Sequence, residues 1–284
     1  MITRVLAMFD DSPAASAALA HAADFAAAMN VPMTVWCADG FQSDAQSARA
    51  AVASQSTLTA RSAVGVNATV APIEIARRTS LSLGHGLSLG HAPVEATTYL
   101  PAPRPLLDSV RKHARITDLL AFGWPSPTSL DAIPAAANAL IAAPPCRILV
   151  ALSPKSRLRH IITPFIGTTG ARAALKLADQ LSQRLNVPLE VLTMGSDQSL
   201  PAELEAEARS ILGPDRSRET ELIQVQSQRS IEEGALIQRL ANQDSTALLV
   251  LAGDPGSVFT DLFFGPHSGR LAERLTGPVI LVPG

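Results

Sequence analysis

The chain has 284 residues, of which 47% are hydrophobic and 17% are charged. This length suits two domains, and the composition is that of a folded protein rather than a disordered one. The formal net charge is −2, and only 4% of the residues are aromatic. These values argue against a nucleic-acid or anionic-membrane binder, because such proteins need a basic surface and single-strand binders need aromatic stacking platforms.

The two cysteines, Cys37 and Cys146, exclude a disulfide framework and a zinc-finger array. Each lies in an apolar segment, so we expect small buried side chains in a reducing compartment. The first residues lack the pattern of a secretory signal peptide. The longest apolar stretch, residues 133–152, contains two adjacent prolines and Arg147, so it is too interrupted to cross a bilayer. We therefore expect a cytoplasmic protein.

The chain repeats itself. Residues 4–38 align with residues 160–194 without a gap, and both segments carry the triplet Asn-Val-Pro at the same point. Two later pairs of segments also correspond, at a smaller offset: 117–123 with 247–253, and 146–150 with 277–281. The change of offset indicates an insertion in the first half, at about residues 66–92.

We therefore predict two copies of one α/β unit fused head to tail. They form domains at residues 1–153 and 159–284 and pair with each other, and the polar stretch between them has the composition of a linker. A homodimer of the whole chain is a further expectation.

Within the first unit, short apolar runs alternate with longer segments of helical composition. The predicted strands are residues 5–9, 33–37, 94–99, 119–122 and 148–152. The predicted helices are residues 14–29, 42–62, 104–114 and 132–141. Ser12 and Pro13 are suited to the N-cap and first position of the first helix, and Asn30 is suited to its end.

The second unit repeats this alternation. Its predicted strands are residues 161–165, 189–193, 222–225, 248–251 and 279–282. Its predicted helices are residues 171–185, 202–211, 231–241 and 269–275. Regular β/α alternation predicts an α/β fold with two tandem, doubly wound, parallel five-stranded sheets.

One segment of the insertion does not fit this pattern. Residues 81–86 and 87–92 are near duplicates, each with a histidine, His85 and His91. The pair could ligate a metal, but no Cys, Asp or Glu lies nearby to complete a site. A loop or small hairpin is the simpler interpretation, and we predict no metal site.

Three features of each half resemble the universal stress protein family. The first is the turn after the first strand, Phe9-Asp10-Asp11-Ser12 and Phe165-Ile166-Gly167-Thr168. The second is the apolar fourth strand that ends at Gly123 and at Gly253, and the third is the last strand with the proline-containing segment before it. The resemblance implies a Rossmann-like unit of the adenine nucleotide alpha hydrolase-like type and ATP or ADP binding, with magnesium, in some members.

The resemblance assigns a partly retained nucleotide loop to the second half. Glycines let the backbone approach phosphates, and backbone amides at a helix N-terminus hold the negative charge. The candidate nucleotide-binding residues are Gly253, Gly256, Gly265, His267 and Ser268 in the loop, with Pro164, Gly167 and Thr168 at the first strand and its turn. The loop departs from the family pattern, because its second spacer is one residue short, Pro266 has no N–H to donate, and Asp254 adds a negative charge.

The first half retains Asp10 and Ser12 but has no second or third glycine after Gly123. We therefore expect at most one nucleotide site, in residues 164–268. The alternative is that the glycines of the second half only form a tight strand-to-helix connection without a ligand.

No catalytic residues are indicated, because the chain has no nucleophile elbow, no phosphate-binding Gly-Lys-Ser/Thr loop and no zinc-protease motif. The apolar stretch at residues 258–264 fits either packing against the other half or a partner interface. Three functions stay open: a nucleotide-linked stress or signalling protein, an interaction module of the same fold that has lost nucleotide binding, and a nucleotide hydrolase.

Overall fold

The computed structural model describes residues 2–9, 12–37, 97–101, 106–116, 118–123, 140–141, 144–151, 158–195, 200–226, 246–253 and 277–284. Elements are numbered here in chain order within these residues. Five strands precede residue 152: β1 Arg4–Phe9, β2 Met33–Cys37, β3 Thr97–Pro101, β4 Asp118–Gly123 and β5 Arg147–Ala151. Five follow it: β6 His160–Phe165, β7 Leu189–Gly195, β8 Glu221–Gln226, β9 Ala247–Ala252 and β10 Val279–Val282. We call the two sets the first and second half.

Five helices are described: α1 Pro13–Met29, α2 Leu106–His113, α3 Thr169–Leu185, α4 Leu200–Leu212 and α5 Pro214–Glu219. All ten strands form one sheet, in the order β3-β2-β1-β4-β5-β10-β9-β6-β7-β8. The first half therefore has the strand order 3-2-1-4-5. The second half, with its strands numbered from one, has the same order in reverse, 5-4-1-2-3. The predicted α/β fold with parallel doubly wound strands is confirmed.

The two five-stranded sets join edge to edge. All pairs within each half are parallel, whereas β5 and β10 pair antiparallel, with Ile148 opposite Leu281 and Val150 opposite Val279. We call this junction the seam. Antiparallel pairing puts the start of β5 beside the end of β10, so the amino ends of the first-half strands and the carboxyl ends of the second-half strands share one side of the sheet.

The helices that follow β1 and β6 are built alike. Ser12 and Thr168 cap them, since each side-chain oxygen accepts a hydrogen bond from an amide three residues on, at 3.1 Å from Ala15 N and 3.2 Å from Ala171 N. Asn30 ends α1, as its sequence position predicts, and its counterpart ends α3, both in the left-handed conformation. Each cap supplies a hydrogen-bond partner for a backbone group that the end of a helix otherwise leaves unpaired.

The core lies on both faces of the sheet, because the strands are buried on both sides. On one face, alternate strand residues such as Val5, Leu119 and Leu248 pack with α1, α3 and α4. On the other face, residues such as Leu6, Leu120 and Leu249 form a second cluster. Helix α1 contacts α3 and has only Pro13 fully exposed, which its alanine-rich sequence permits.

The short helix α5 was not predicted from the sequence. Arg216 holds it against α3 with two hydrogen bonds, from Nε to Asp179 Oδ1 at 2.9 Å and from Nη2 to Ser182 Oγ at 3.0 Å, and its Nη1 donates to Glu219 Oε2 within α5 at 2.8 Å. Ser182 Oγ in turn donates to the carbonyl of Val187 at 2.6 Å. Planar guanidinium geometry suits such a forked contact.

Most predicted elements lie within one or two residues of the observed ones. The exception is β3, which starts three residues later than predicted and ends at Pro101. The predicted helices at 42–62, 231–241 and 269–275, most of 132–141, the segment at 81–92 and the insertion lie outside the described residues, as do residues 154–157 of the expected linker.

Candidate functional site

The strand order places a crevice in each half at the point where the winding direction reverses. In the order 3-2-1-4-5 this point lies between β1 and β4, and in the second half between β6 and β9. Doubly wound sheets bind ligands beyond the carboxyl ends of the strands at such a point. The two crevices therefore are the candidate sites, and they differ in three respects.

The first difference is a close contact in the first half. Gly123 ends β4, and a Cβ atom at Gly123 would lie 2.2 Å from the carbonyl carbon of Ala14 and 2.4 Å from the amide nitrogen of Ala15. Backbone atoms cannot move aside as a flexible side chain can, so only glycine fits here. The first turn of α1 thus lies directly on the end of β4 and fills the crevice at this level.

The corresponding position in the second half carries a methyl group. Val5 lies opposite Leu119, and its counterpart Ile161 lies opposite Leu248, so Leu119 corresponds to Leu248 and Gly123 to Ala252. The two core clusters give the same correspondence, because Leu119 and Leu248 belong to the cluster on one face of the sheet, and the residues that follow them belong to the cluster on the other face. Ala252 thus carries a side chain at the position where the first half accommodates only glycine.

This register corrects the sequence alignment of the fourth strands by one residue. The alignment of residues 117–123 with 247–253 paired Gly123 with Gly253, and was wrong. The alignment failed because residues 247–252 are apolar throughout, as expected for a strand that is buried on both faces. The sequence of β9 therefore carries no alternation of polar and apolar residues that could fix its register.

The second difference is Pro164 in β6. Ile161 N–H donates to the carbonyl of Pro188 in the loop before β7, so odd-numbered residues of β6 direct their backbone groups to β7 and even-numbered ones to β9. Pro164 therefore lacks the N–H that would face β9. The buried Thr163 hydroxyl donates instead to the carbonyl of Val250, at 3.0 Å.

The missing amide shortens the pairing of these two strands. The β6–β9 ladder ends with Ile162 opposite Leu249, whereas the β1–β4 ladder extends one pair further, to Ala7 opposite Ala121. Met8 stands in the first half where Pro164 stands in the second. The backbone ladder is thus interrupted at the crevice of the second half only.

The third difference is in the sequence of the turn after the first strand, where the second half has Gly167 and the first half has Asp11. Gly167 has φ +76°, in the left-handed region that favours glycine, and a Cβ there would lie 2.9 Å from Leu204 Cδ2. Glu207 lies beside this turn and pairs with Arg172 through Oε1 and Nε, at 2.5 Å. The turn brings Thr168 to the N-terminus of α3, where its side-chain oxygen accepts from Ala171 N.

The candidate residue Gly253 lies directly after β9 and at the seam. Its N–H donates to the carbonyl of Val282 at 2.8 Å, so this amide continues the sheet rather than pointing to a ligand. A Cβ at Gly253 would lie 3.2 Å from Cγ of Pro144, a residue of the first half. Gly253 therefore permits close packing at the crevice, and phosphate donors have to come from other residues.

The structure brings together Pro164, Gly167, Thr168 and Gly253 at the carboxyl ends of β6 and β9. The other four candidates, Gly256, Gly265, His267 and Ser268, lie outside the described residues. Sequence reasoning missed the roles of Gly123 and Thr163. A serine or threonine directly before a proline within a strand is the sequence signal that could have indicated the role of Thr163.

Both cysteines are buried and have free thiols, as expected. Burial, with a smaller contribution from the charge of Asp118, raises the pKa of the Cys146 thiol to about 12, so this thiol stays protonated and unreactive at neutral pH. In the described part of the chain no three His, Cys, Asp or Glu residues are grouped to hold a metal ion. Within the same residues, no helix has the length and apolar composition needed to cross a membrane.

No family model and no curated protein sequence matches the chain. Solved structures match it over nearly its whole length. A universal stress protein from Archaeoglobus fulgidus has a TM-score of 0.56 and 12% identity, covering 99% of this chain and 98% of its own. The cytoplasmic domain of a prokaryotic cation chloride cotransporter has a TM-score of 0.55 and 12% identity, with 99% and 95% covered. A Pseudomonas aeruginosa protein assigned to the universal stress proteins has 0.51 and 11%, with 99% and 93% covered.

The fold thus defines an α/β protein with doubly wound strands and two crevices of unequal form. The structural comparisons specify it further: the chain has the fold of the universal stress proteins. The same fold occurs in the cytoplasmic domain of the cotransporter.

Proposed function

We propose that this protein is a non-catalytic, nucleotide-responsive protein of the universal stress type, located in the cytoplasm, with one ATP or ADP site in its second half. The two halves are copies of one unit, and only the second copy keeps a usable crevice. The observation that carries the proposal is the contrast between Gly123 and Ala252. Backbone of α1 lies too close to Gly123 for any side chain there, whereas Ala252 carries a methyl group at the corresponding position of the second half.

The residues at the second crevice fit an adenine nucleotide in part. Gly167 and Thr168 supply a turn that leads into the amino end of a 17-residue helix, where the helix dipole favours a phosphate group. The loop glycines Gly256 and Gly265, with His267 and Ser268, would supply further donors. When bound, the nucleotide would bring magnesium with its phosphates.

A calorimetric titration with Mg-ATP and Mg-ADP tests this proposal. The Gly256→Asp variant puts a negative charge into the loop and should abolish the binding heat. Gln180→Glu is the control, because it adds one negative charge at an exposed position of α3, far along the helix from its amino end. Binding by Gln180→Glu but not by Gly256→Asp supports the site in the second half. Absence of binding heat in the unaltered protein contradicts it.

The second candidate function is an interaction module without a ligand. Its support is that the Gly253 amide is already bonded to Val282 and that Pro266 has no N–H. One structural neighbour is a domain of a cotransporter, so this fold also occurs as a part of a larger protein. Absence of binding heat would favour this function. Steady phosphate release from ATP, lost on substitution of a single carboxylate or histidine, would instead favour a hydrolase.

A further inference from the structure

Three arginines of the first half are held at the turn that precedes β4. Arg4 of β1 donates from Nη2 to Asp118 Oδ2 at 2.6 Å, and the backbone N–H of Arg115 donates to the same oxygen at 2.9 Å. Arg147 of β5 donates from Nη1 to the carbonyl of Ile116 at 2.7 Å. The sheet brings these segments together, because β4 lies between β1 and β5 and runs parallel to both. We call the three residues the arginine cluster.

The arginine cluster has more positive charge than the carboxylate it contacts can neutralise. Asp118 is buried and pairs with Arg4. Among the described residues neither Arg115 nor Arg147 forms an ion pair, and the buried Nε of Arg147 has no hydrogen-bond partner. Burial lowers the pKa of the Arg147 guanidinium, because the charged form loses hydration. An anion bound at the cluster would offset part of this loss.

Further cations lie next to the cluster. Arg111 and Lys112 are exposed near the end of α2, and Arg115 follows in the turn and is exposed as well, whereas the acidic residue of α2, Asp108, lies in its first turn. Positive charges near the end of a helix are favourable in themselves, which accounts for Arg111 and Lys112. The helix does not account for Arg147, which belongs to a different segment and reaches the same turn through the pairing of β4 with β5.

The arginine cluster is distinct from both crevices. The crevice of the first half lies at the carboxyl ends of β1 and β4, whereas the cluster lies at the amino ends of the same strands, roughly 20 Å away along a six-residue strand. The crevice of the second half is on the same side of the sheet as the cluster. However, β5 and β10 separate β4 from β9, and three strand spacings amount to roughly 14 Å.

We propose that the arginine cluster is an anion-binding site of the first half for a small ligand with two or more phosphate groups. A guanidinium binds phosphate oxygens through two parallel hydrogen bonds, and two arginines without a counter-ion match a ligand with several negative charges. Arg111 and Lys112 raise the local concentration of such an anion through their field. This site is additional to the nucleotide site of the second half and does not depend on it.

Calorimetric titration of the full chain with inorganic tripolyphosphate, at low ionic strength and without magnesium, tests this site. The variants are Arg115→Gln and Arg147→Gln, and the control is Arg184→Gln. Arg184 is exposed near the end of α3, at the opposite side of the sheet, and its replacement removes the same charge. We expect each cluster variant to weaken binding about five- to tenfold and the control to leave it unchanged. Added salt should weaken binding by the unaltered protein.

Arg115→Gln keeps the test decisive if Arg147→Gln fails to fold, because the Arg115 side chain is exposed and its backbone N–H to Asp118 is retained. Absence of tripolyphosphate binding by the unaltered protein overturns the proposal, as does an equal loss of affinity in Arg115→Gln and Arg184→Gln. Unchanged binding in Arg115→Gln and Arg147→Gln overturns it as well. Tighter binding of a hexaglutamate peptide than of tripolyphosphate would overturn the class of ligand and indicate an acidic protein partner.

The Gly256→Asp variant separates this site from the nucleotide site. We expect it to bind tripolyphosphate as the unaltered protein does, because the cluster lies in the first half. A loss of tripolyphosphate binding in Gly256→Asp would assign the anion to the second half and overturn the proposal. Failure of ATP to bind, together with tripolyphosphate binding that Arg115→Gln weakens, would overturn the proposed function and support the arginine cluster.

Discussion

Asn30 and Asn186 hold the same left-handed backbone conformation at the same point of the two halves, with φ 54° and ψ 54° in one and φ 53° and ψ 52° in the other. Each asparagine ends a helix, and a Val-Pro pair follows it and leads into the next strand. The carbonyl of each proline then accepts from the strand residue alongside, at 3.0 Å from Val5 N and 2.9 Å from Ile161 N.

This conformation gives a pair of matched variants. Asn30→Ala and Asn186→Ala should each lower the free energy of unfolding by about 1–2 kcal/mol, because a Cβ without a local hydrogen-bonding group is strained in this region. Asn→Gly at either position should cost less, because glycine has no such strain. Urea unfolding monitored by circular dichroism measures these values. Equal losses for alanine and glycine at one position would contradict the role of the backbone angle.

Gly123 and Ala252 differ in their tolerance of a methyl group. Gly123→Ala should destabilise the protein by about 1–3 kcal/mol or more, because its Cβ would overlap the backbone of α1. The matched reverse change, Ala252→Gly, should cost only about 0.5–1 kcal/mol, as expected for a glycine within a strand. Thermal unfolding of both variants is the measurement. A Gly123→Ala variant of unaltered stability would show that α1 does not fill the first crevice.

The hydroxyl of Thr163 satisfies a carbonyl that Pro164 leaves without its usual donor. Thr163→Val should therefore destabilise the protein by about 1–3 kcal/mol, because the buried carbonyl of Val250 loses its hydrogen bond. In a Pro164→Ala background residue 164 regains its N–H, so the same Thr163→Val change should cost less. A double-mutant cycle on unfolding free energies measures this coupling. Full additivity would mean that Thr163 does not substitute for the missing amide.

Cys146 makes stability depend on pH in the alkaline range. Burial raises the pKa of its thiol from 9.0 to about 12, so between these values the unfolded chain loses a proton that the folded chain keeps. Because the thiol ionises only in the unfolded state over this range, the free energy of unfolding falls as the pH rises from 9 to 12. Cys146→Ala should remove this component of the alkaline loss, and Cys37→Ala provides the comparison with the other buried cysteine.

Thiol alkylation provides a direct readout of the same group. In the Cys37→Ala protein, Cys146 should resist iodoacetamide at pH 8 in the native state and react after denaturation in urea, since the thiolate is the nucleophile. Rapid alkylation of the folded Cys37→Ala protein at pH 8 would contradict the raised pKa. Cys37 is replaced in this experiment because it is the other cysteine of the chain, and its thiol would otherwise contribute to the alkylation signal after denaturation.

Local signals in the sequence predicted the elements around β1 and β6 well. Ser12 before Pro13 marks a helix start, and the Asn-Val-Pro triplets mark the ends of α1 and α3, because each residue has a specific backbone requirement there. The registers of buried parallel strands carry no comparable signal. The continuous apolar run at 247–252 is compatible with either neighbouring register, and only the pairing with β6 settles it.

Long-range relations at the candidate site could not be predicted from the sequence. The position of Arg147 beside the end of β10 depends on the antiparallel seam, and the requirement for glycine at position 123 depends on how closely α1 approaches β4. Both are products of tertiary packing between segments far apart in the chain. The loop after β9 was predicted from a resemblance and lies outside the described residues; the register of β9 relative to β4 changed by one residue once the sheet was known.

The antiparallel seam has an evolutionary consequence. In a symmetric dimer of identical subunits, any substitution beside the shared strands appears twice, so a gain on one side is tied to the same change on the other. Here β5 and β10 belong to one polypeptide and are encoded separately, so each can mutate alone. One half can then change its residues beside the seam while the other half keeps its own.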